Sequence, residues 1–261
     1  MITSSQNNKV RLVRALMGKR KDRQLNQAFV VEGVRLTEEA LSSGWTPQFV
    51  LYSDQLSDRG RELVEGFTGQ GVDVEEVAPH LMESMAGTRN PQGVLAVLPL
   101  RDLPLPASLD FVLVVDQVRD PGNLGTILRT AAAAGVQAVI LTPGTTDAFA
   151  PKVVRSGMGA HFRLPVIEMP WEQLHAAHEY GELHEIPFYL ADAVGESDCW
   201  FLDWRSPVGI IVGGEAAGAG DQAYRLAAGR VNIPMPGEME SLNAAIATSV
   251  LLFEVVRQRS S

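Results

Sequence analysis

Three short stretches carry residue types able to do chemistry, and each follows or continues an apolar run. The first is Asp120-Pro121-Gly122-Asn123-Leu124-Gly125-Thr126-Ile127-Leu128-Arg129, directly after Phe111-Val112-Leu113-Val114-Val115. Helix starts after buried strands are where open α/β sheets place ligands. Asn123 is a favoured helix-capping type, so capping is one reading of it. Arg129 sits among Leu124, Ile127, Leu128 and Ala131–Ala134, a helix that reads as apolar nearly all round. A charge there wants a specific partner. The second stretch, Ile210-Ile211-Val212-Gly213-Gly214-Glu215-Ala216-Ala217-Gly218, ends a strand in two glycines and an acid. Paired glycines let a backbone approach a ligand closely, and Glu215 could orient a cationic or hydroxyl-bearing group. An ordinary strand-to-helix turn is an equal reading of it. The third runs from Val231-Asn232-Ile233-Pro234-Met235-Pro236-Gly237 through Glu240-Ser241-Leu242-Asn243. It begins as a strand, breaks at two prolines, and reaches Ser241, a good helix cap. Its backbone amides could meet the edge of an adenine, with Met235 and Leu242 against the faces. Asn243, polar in the first turn of a buried-looking helix, has no such plain explanation.

The same residues exclude other chemistries. None of the stretches is G-x-G-x-x-G, and no acid stands suitably about 20 residues beyond the first, which speaks against a dinucleotide oxidoreductase. The Gly213-Gly214 turn lacks the Gly-Lys-Ser/Thr of a P-loop. The three stretches contain no histidine, and no Cys/His cluster has zinc-ligand spacing, so no metal is expected. Cys199 is the single cysteine. It cannot form an internal disulfide, suits a reducing cytosol, and reads as a packing residue.

The elements that must position these residues follow from short apolar runs alternating with helical patterns, the mark of an α/β protein with a mainly parallel sheet. In the first half, strands are predicted at 29–31, 49–52 and 94–98, and helices at about 34–43, 58–67 and 79–86. Arg101-Asp102-Leu103-Pro104-Leu105-Pro106 is extended by its prolines and marks a boundary. The domains are therefore predicted as 1–100, a linker at 101–109, and 110–261. The second half reads as strands at 111–115, 138–141, 164–167, 188–191, 208–212 and 231–233. Helices are predicted at about 123–134, 149–158, 171–180 and 221–227, with a last one from about 242. In that last helix Leu242, Ile246, Ser249/Val250, Phe253 and Val256 form a stripe that is either core or a dimer face.

The chain carries a net charge of −9, yet its first 25 residues hold seven bases (Lys9, Arg11, Arg14, Lys19, Arg20, Lys21, Arg23) against one acid, Asp22. Such a segment is either a local phosphate grip or a solvated helix or tail. The polar start shows no secretory signal, and no apolar run approaches the roughly 18 residues of a membrane helix. A cytoplasmic protein without a membrane anchor is expected.

Taken together and in order, Asn123-x-Gly125-x-x-x-Arg129, Gly214-Glu215-x-x-Gly218 and Ile233-Pro234-Met235 through Ser241-Leu242-Asn243 resemble the three motifs of the SpoU (TrmH-type) branch of the SPOUT methyltransferases, over about 110–258. Val31-Glu32-Gly33 and Thr88-x-x-Pro91-Gln92-Gly93 resemble the small α/β RNA-binding domain often fused ahead of it. The resemblance implies S-adenosyl-L-methionine as cofactor, RNA as partner and a homodimer. It also implies a deep trefoil knot near the C-terminus, beside a smaller N-terminal α/β domain. The family's catalytic arginine maps to Arg129, and Asn123, Glu215, Ser241 and Asn243 map to its other functional polar positions. Gly213, Gly214, Ile233, Met235, Ser241 and Leu242 fall where the family holds its cofactor. The implied activity is RNA 2′-O-ribose methylation, of large-subunit ribosomal RNA first and transfer RNA second. A non-catalytic RNA-binding protein on the same fold is the remaining alternative. The dimer interface is expected on the last helix and the helix beginning near Asn123.

Overall fold

The computed structural model describes residues 1–214, 218–237 and 239–260. In chain order its elements are α1 (Asn8–Gly18), α2 (Arg20–Asn26), β1 (Ala28–Glu32), α3 (Val34–Ser42), β2 (Phe49–Tyr52), α4 (Asp58–Gly69), β3 (Asp73–Glu76), α5 (Pro79–Met85) and β4 (Val94–Pro99). There follow β5 (Phe111–Asp116), α6 (Pro121–Ala134), β6 (Ala138–Leu141), α7 (Pro151–Gly157), β7 (Val166–Glu168), α8 (Trp171–Tyr180) and β8 (Phe188–Ala191). The last are β9 (Ser197–Asp198), β10 (Val208–Gly213), α9 (Asp221–Leu226), β11 (Ala227–Asn232) and α10 (Ala244–Arg259). The chain forms two compact units, Met1–Arg101 with Phe149–Phe162, and Asp102–Ala148 with Arg163–Ser261.

The first unit is built on a mixed sheet in the order β1-β4-β2-β3, with β4 antiparallel to both neighbours and β2 parallel to β3. Its core includes Val30, Leu51, Leu95 and Val97 from the sheet and Leu81 and Met82 from α5. The basic N-terminal segment is part of this body, not a tail. Val10, Val13 and Leu16, on one face of α1, are fully buried in the same core. Three of its bases are used internally. Lys9 pairs with Asp73 and Glu75, Arg14 donates to Ser84 Oγ at 2.7 Å, and buried Arg23 donates to the Leu16 carbonyl.

The segment 149–162 departs from the expected division, in which it belonged with 110–261. Local pattern marks a helix but not the body on which it packs. Here α7 packs on β1, and Phe162 and Phe149 join Trp45 and Phe29 in an aromatic cluster. The buried carboxylate of Glu32, at the end of β1, receives Arg155 of α7 at 3.2 Å and Gly87 N–H at 2.9 Å. The Thr88 hydroxyl also donates to it. Gln92 Oε1 accepts from Val34 N–H at 2.9 Å. The two sequence stretches Val31-Glu32-Gly33 and Thr88 to Gly93 are thus one hydrogen-bonded structure.

The second unit is a seven-stranded sheet in the order β7-β6-β5-β10-β8-β11-β9, parallel throughout. Fully buried β5 and β6 explain the unbroken apolar runs that marked them, since strands covered on both faces show no alternation. Helices α6 and α10 pack against one another. Cys199 is buried, and burial together with the nearby Glu254 carboxylate pushes its thiol up to about 11. No helix is long and apolar enough to cross a membrane among the described residues.

Candidate active site

The carboxyl ends of β8, β10 and β11 open into one cleft. Gly213, Gly214, Ile233, Met235, Ser241 and Leu242 all line it, with Asp192, Ala219 and Leu251 among the others. Parallel strands ending side by side leave their backbone groups and following turns facing a shared crevice. Side chains around it are small or aliphatic, so a flat apolar ring can lie between Ile233, Met235 and Leu242 while backbone amides meet its edge.

One wall of the cleft is set by a close backbone approach. Gly214 lies against the residue after β5: a Cβ there would sit 3.0 Å from the Gln117 carbonyl carbon and closer still to its oxygen. Gln117 itself takes a left-handed conformation, φ 55°, uncommon for a side-chain-bearing residue. The constraint on Gly214 is therefore space against protein backbone, before any ligand is considered. Gly214 also forms an antiparallel bridge with Gly218, whose φ is 67°. Glu215, between them, lies outside the described residues.

Asp116, the last residue of β5, is fully buried. Its carboxylate accepts from the Thr142 hydroxyl, just past β6, and from Gly220 N–H at 2.7 Å. Sequence reading missed both Asp116 and Gln117, because each reads as an ordinary strand-end polar residue. Asp192 was missed as well, and it belongs to no motif.

The polar candidates are partly brought together. Asn243 caps α10: its Oδ1 accepts from Ala245 N–H at 2.9 Å and Ile246 N–H at 3.3 Å. Its Nδ2 donates to Asn123 Oδ1 at 3.1 Å. Ser241 is not the cap, so α10 starts two residues later than its type suggested; it lines the cleft instead. Asn123 is not a cap either. Asp120 caps α6, its Oδ1 accepting from Asn123 N–H at 2.9 Å, with Pro121 in the first turn.

Arg129 departs further from expectation. Helix α6 is buried on one side only, through Leu124, Ile127, Leu128, Ala131 and Ala134, while Thr126, Arg129 and Ala133 face solvent. The alanines that made the helix look apolar all round are small enough to stand exposed. Arg129 is not among the cleft-lining residues, and it has no hydrogen bond or ion pair among the described residues. Among the described residues no group of three His, Cys, Asp or Glu is placed to hold a metal ion.

The chain is similar to known proteins in sequence and in fold. The model of the SpoU rRNA Methylase family matches residues 110–253, and that of an MRM3-like substrate binding domain matches residues 7–96. The chain is 34% identical to the 23S rRNA (uridine(2479)-2′-O)-methyltransferase of Streptomyces viridochromogenes, over 99% of this chain and 92% of that protein. It is 31% identical to the 23S rRNA (guanosine(2553)-2′-O)-methyltransferase of Bacillus subtilis, over 97% of this chain and 98% of that protein. Among solved structures it is similar to an AdoMet-bound rRNA methyltransferase from Sinorhizobium meliloti. The TM-score is 0.85 at 32% identity, covering 98% of this chain and 97% of that one.

Gly214→Ala tests the wall. The added methyl must displace the Gln117 backbone, and overpacking of this kind costs about 1–3 kcal/mol. The variant should unfold at lower temperature and bind S-adenosylhomocysteine more weakly. Unchanged melting and unchanged affinity by calorimetry would remove Gly214 from the role given to it.

Proposed function

Because this chain belongs to the SpoU rRNA methylase family, we propose that it transfers a methyl group from S-adenosylmethionine to a ribose 2′-hydroxyl of large-subunit ribosomal RNA. The observation that carries the reading is the cleft. Six residues from two stretches of the chain, 213–214 and 233–242, each read as cofactor-holding, line one crevice at the ends of neighbouring parallel strands. The fit is chemical as well. Aliphatic and methionine side chains suit a purine, and glycines leave the backbone accessible to its edge. The named ribosomal RNA relatives differ in the nucleotide in their names, uridine in one and guanosine in the other. The base modified is therefore a property of the individual protein.

S-adenosylmethionine, once bound, supplies an electrophilic methyl and a leaving group that needs no proton. The burden on the protein is the nucleophile, because a ribose hydroxyl is weakly acidic and its proton must go elsewhere. A guanidinium is a poor base at neutral pH. Arg129 acts in this reading as a fixed cation: it grips an RNA phosphate and stabilises the developing alkoxide, with phosphate or water taking the proton. It is exposed and has no partner among the described residues, so its donors are available to the substrate. Asn123 and Asn243, joined across the start of α6 and α10, together with Ser241 and Glu215 position the ribose. The reading includes a C-terminal trefoil knot; β10 and β11, which follow β8 in the chain, lie on its two sides in the sheet. A single buried cysteine suits a cytoplasmic site of action.

The proposed partner surface for RNA includes the N-terminal helices. With Lys9, Arg14 and Arg23 engaged internally, the exposed bases Arg11, Lys19 and Lys21 are left to meet phosphate. The chain also acts as a homodimer in this reading. The stripe Leu242, Ile246, Val250, Phe253 is not core: Leu242, Ile246 and Phe253 are exposed, while the buried side of α10 is Ala245, Thr248, Leu251, Leu252 and Val255. An apolar face of this kind on a helix end marks an interface. The outward side of α6, being Thr126, Arg129 and Ala133, contributes less to it than expected.

Three measurements test these statements. Incubation with methyl-labelled S-adenosylmethionine and large-subunit ribosomal RNA should give label on ribose 2′-oxygens, recovered as alkali-resistant dinucleotides. Arg129→Ala should lower kcat by about 10²–10³ with cofactor affinity kept, and Arg129→Lys should also be strongly impaired because it loses the planar fork. Label on transfer RNA alone would shift the substrate, and near-normal turnover by Arg129→Ala would remove Arg129 from catalysis.

The N-terminal grip is tested by reversing charge at Arg11, Lys19 and Lys21 together. Deleting residues 1–25 would instead remove Val10, Val13 and Leu16 from the core. The triple reversal should weaken RNA binding and flatten its salt dependence by roughly 0.7–0.9 for each phosphate no longer neutralised, with S-adenosylhomocysteine binding unchanged. Equal RNA affinity would make these bases ordinary solvated charges. For the dimer, sedimentation at micromolar concentration should give two copies for the wild type and a monomer for Phe253→Asp. A monomeric wild type would reject it.

A further inference from the structure

Asp192 is the one ionisable residue among the described residues that line the cleft. The others are glycines, alanines, aliphatic residues, Met235 and Ser241. It directly follows β8, and its own N–H donates to the Val231 carbonyl of β11 at 2.9 Å. Its side chain is only 13% exposed. A carboxylate removed from water to that degree must be satisfied by donors, and three are at hand. Oδ1 accepts from Val194 N–H at 3.0 Å; Oδ2 accepts from the Tyr224 hydroxyl at 3.2 Å and from Arg230 Nη1 at 3.4 Å. Arg230 is held in turn by Glu196.

An ionised carboxylate offers about four acceptor directions, so one on Oδ1 is left over. The Arg230 cation already offsets the negative charge, so the spare direction suits a neutral donor better than a second cation. A nucleoside brings such donors in its ribose hydroxyls. An acid at the carboxyl end of a strand that accepts from a ribose hydroxyl is how open parallel sheets commonly hold nucleosides.

We propose that Asp192 accepts a hydrogen bond from a ribose hydroxyl of the nucleoside part of S-adenosylmethionine, with Tyr224 and Arg230 as the positioning residues that aim its carboxylate. The inference rests on the cleft being the S-adenosylmethionine site. It adds a side-chain anchor at a place where the three motifs supply none among the described residues, since Ser241 is the only other side-chain hydrogen-bonding group lining the cleft.

The test is calorimetric binding of S-adenosylhomocysteine and of its 2′-deoxy and 3′-deoxy forms to wild type, Asp192→Ala and Asp192→Asn. Thermal unfolding without ligand checks that each variant is folded, and the isosteric Asp192→Asn carries the comparison if Asp192→Ala does not fold. In the wild type, one deoxy form should bind about 10- to 100-fold more weakly than the parent, as expected for removal of a hydrogen bond to a charged group. In Asp192→Ala the parent should weaken by a similar factor and the preference for the ribose form should collapse toward one. In Asp192→Asn the preference should shrink without vanishing. A preference as large in Asp192→Ala or Asp192→Asn as in the wild type would overturn the proposal and leave Asp192 as a clasp for the 192–197 loop. So would a wild type indifferent to both deoxy changes. Failure of the wild type to bind S-adenosylhomocysteine at all would overturn the reading of the cleft itself.

Discussion

A buried carboxylate at the end of β5, an interior strand of the large sheet, ties the second unit together. Asp116 joins three stretches of chain: the end of β5, the exit from β6 through Thr142, and the turn after β10 through Gly220 N–H. Leaving any one of these donors unpaired in the interior would cost about 1–3 kcal/mol. The next residue, Gln117, presents its carbonyl to Gly214. The wall of the cleft is therefore fixed from behind, by protein groups that need not touch a ligand. On the proposed reading, a nucleoside meets an arrangement already formed, in which glycines and aliphatic side chains make up most of the site.

The same economy governs the start of α10. Asn243 uses its oxygen to cap the helix and its amide hydrogens to reach Asn123 at the start of α6. One side chain ends a loop, begins a helix and joins the two helices that pack together. Capping and a functional role compete for the meaning of such a residue when only the sequence is read. In the structure they are compatible, because a primary amide has both an acceptor and donors to use.

How much of this was legible follows from what sequence pattern encodes. Buried parallel strands such as Val112–Val115 and Ile210–Val212 are unbroken apolar runs, and turn residues bound them, so nearly every element of the large sheet was readable. The two-residue β9 and the acidic edge strand β3, Asp73-Val74-Glu75-Glu76, gave no such signal. Helix α1 was hidden because its bases drew attention away from Val10, Val13 and Leu16, which bury at helical spacing. The cleft residues were legible through motif resemblance and converge in space. Asp192, Asp116 and Gln117 were not, because their roles depend on neighbours remote along the chain. Arg129 shows the opposite error: small alanines make a half-exposed helix look buried.

The placement of α7 bears on how the polypeptide reaches its folded form. Residues 1–101 lack a helix that completes their own body, and that helix emerges only after β5, α6 and β6 have been made. Until it docks, Glu32 is without Arg155, the only cation among its described partners. Burying a carboxylate stripped of its cation costs about 3–5 kcal/mol. The N-terminal unit therefore cannot reach full stability during vectorial synthesis of its first hundred residues, unlike a domain that is contiguous in the chain. The Glu32–Arg155 pair that closes it joins residues 123 positions apart, and such long loops slow folding. Folding of the N-terminal unit is thus coupled to synthesis of the C-terminal one, and a fragment cut at the proline-rich boundary would leave that unit open along β1.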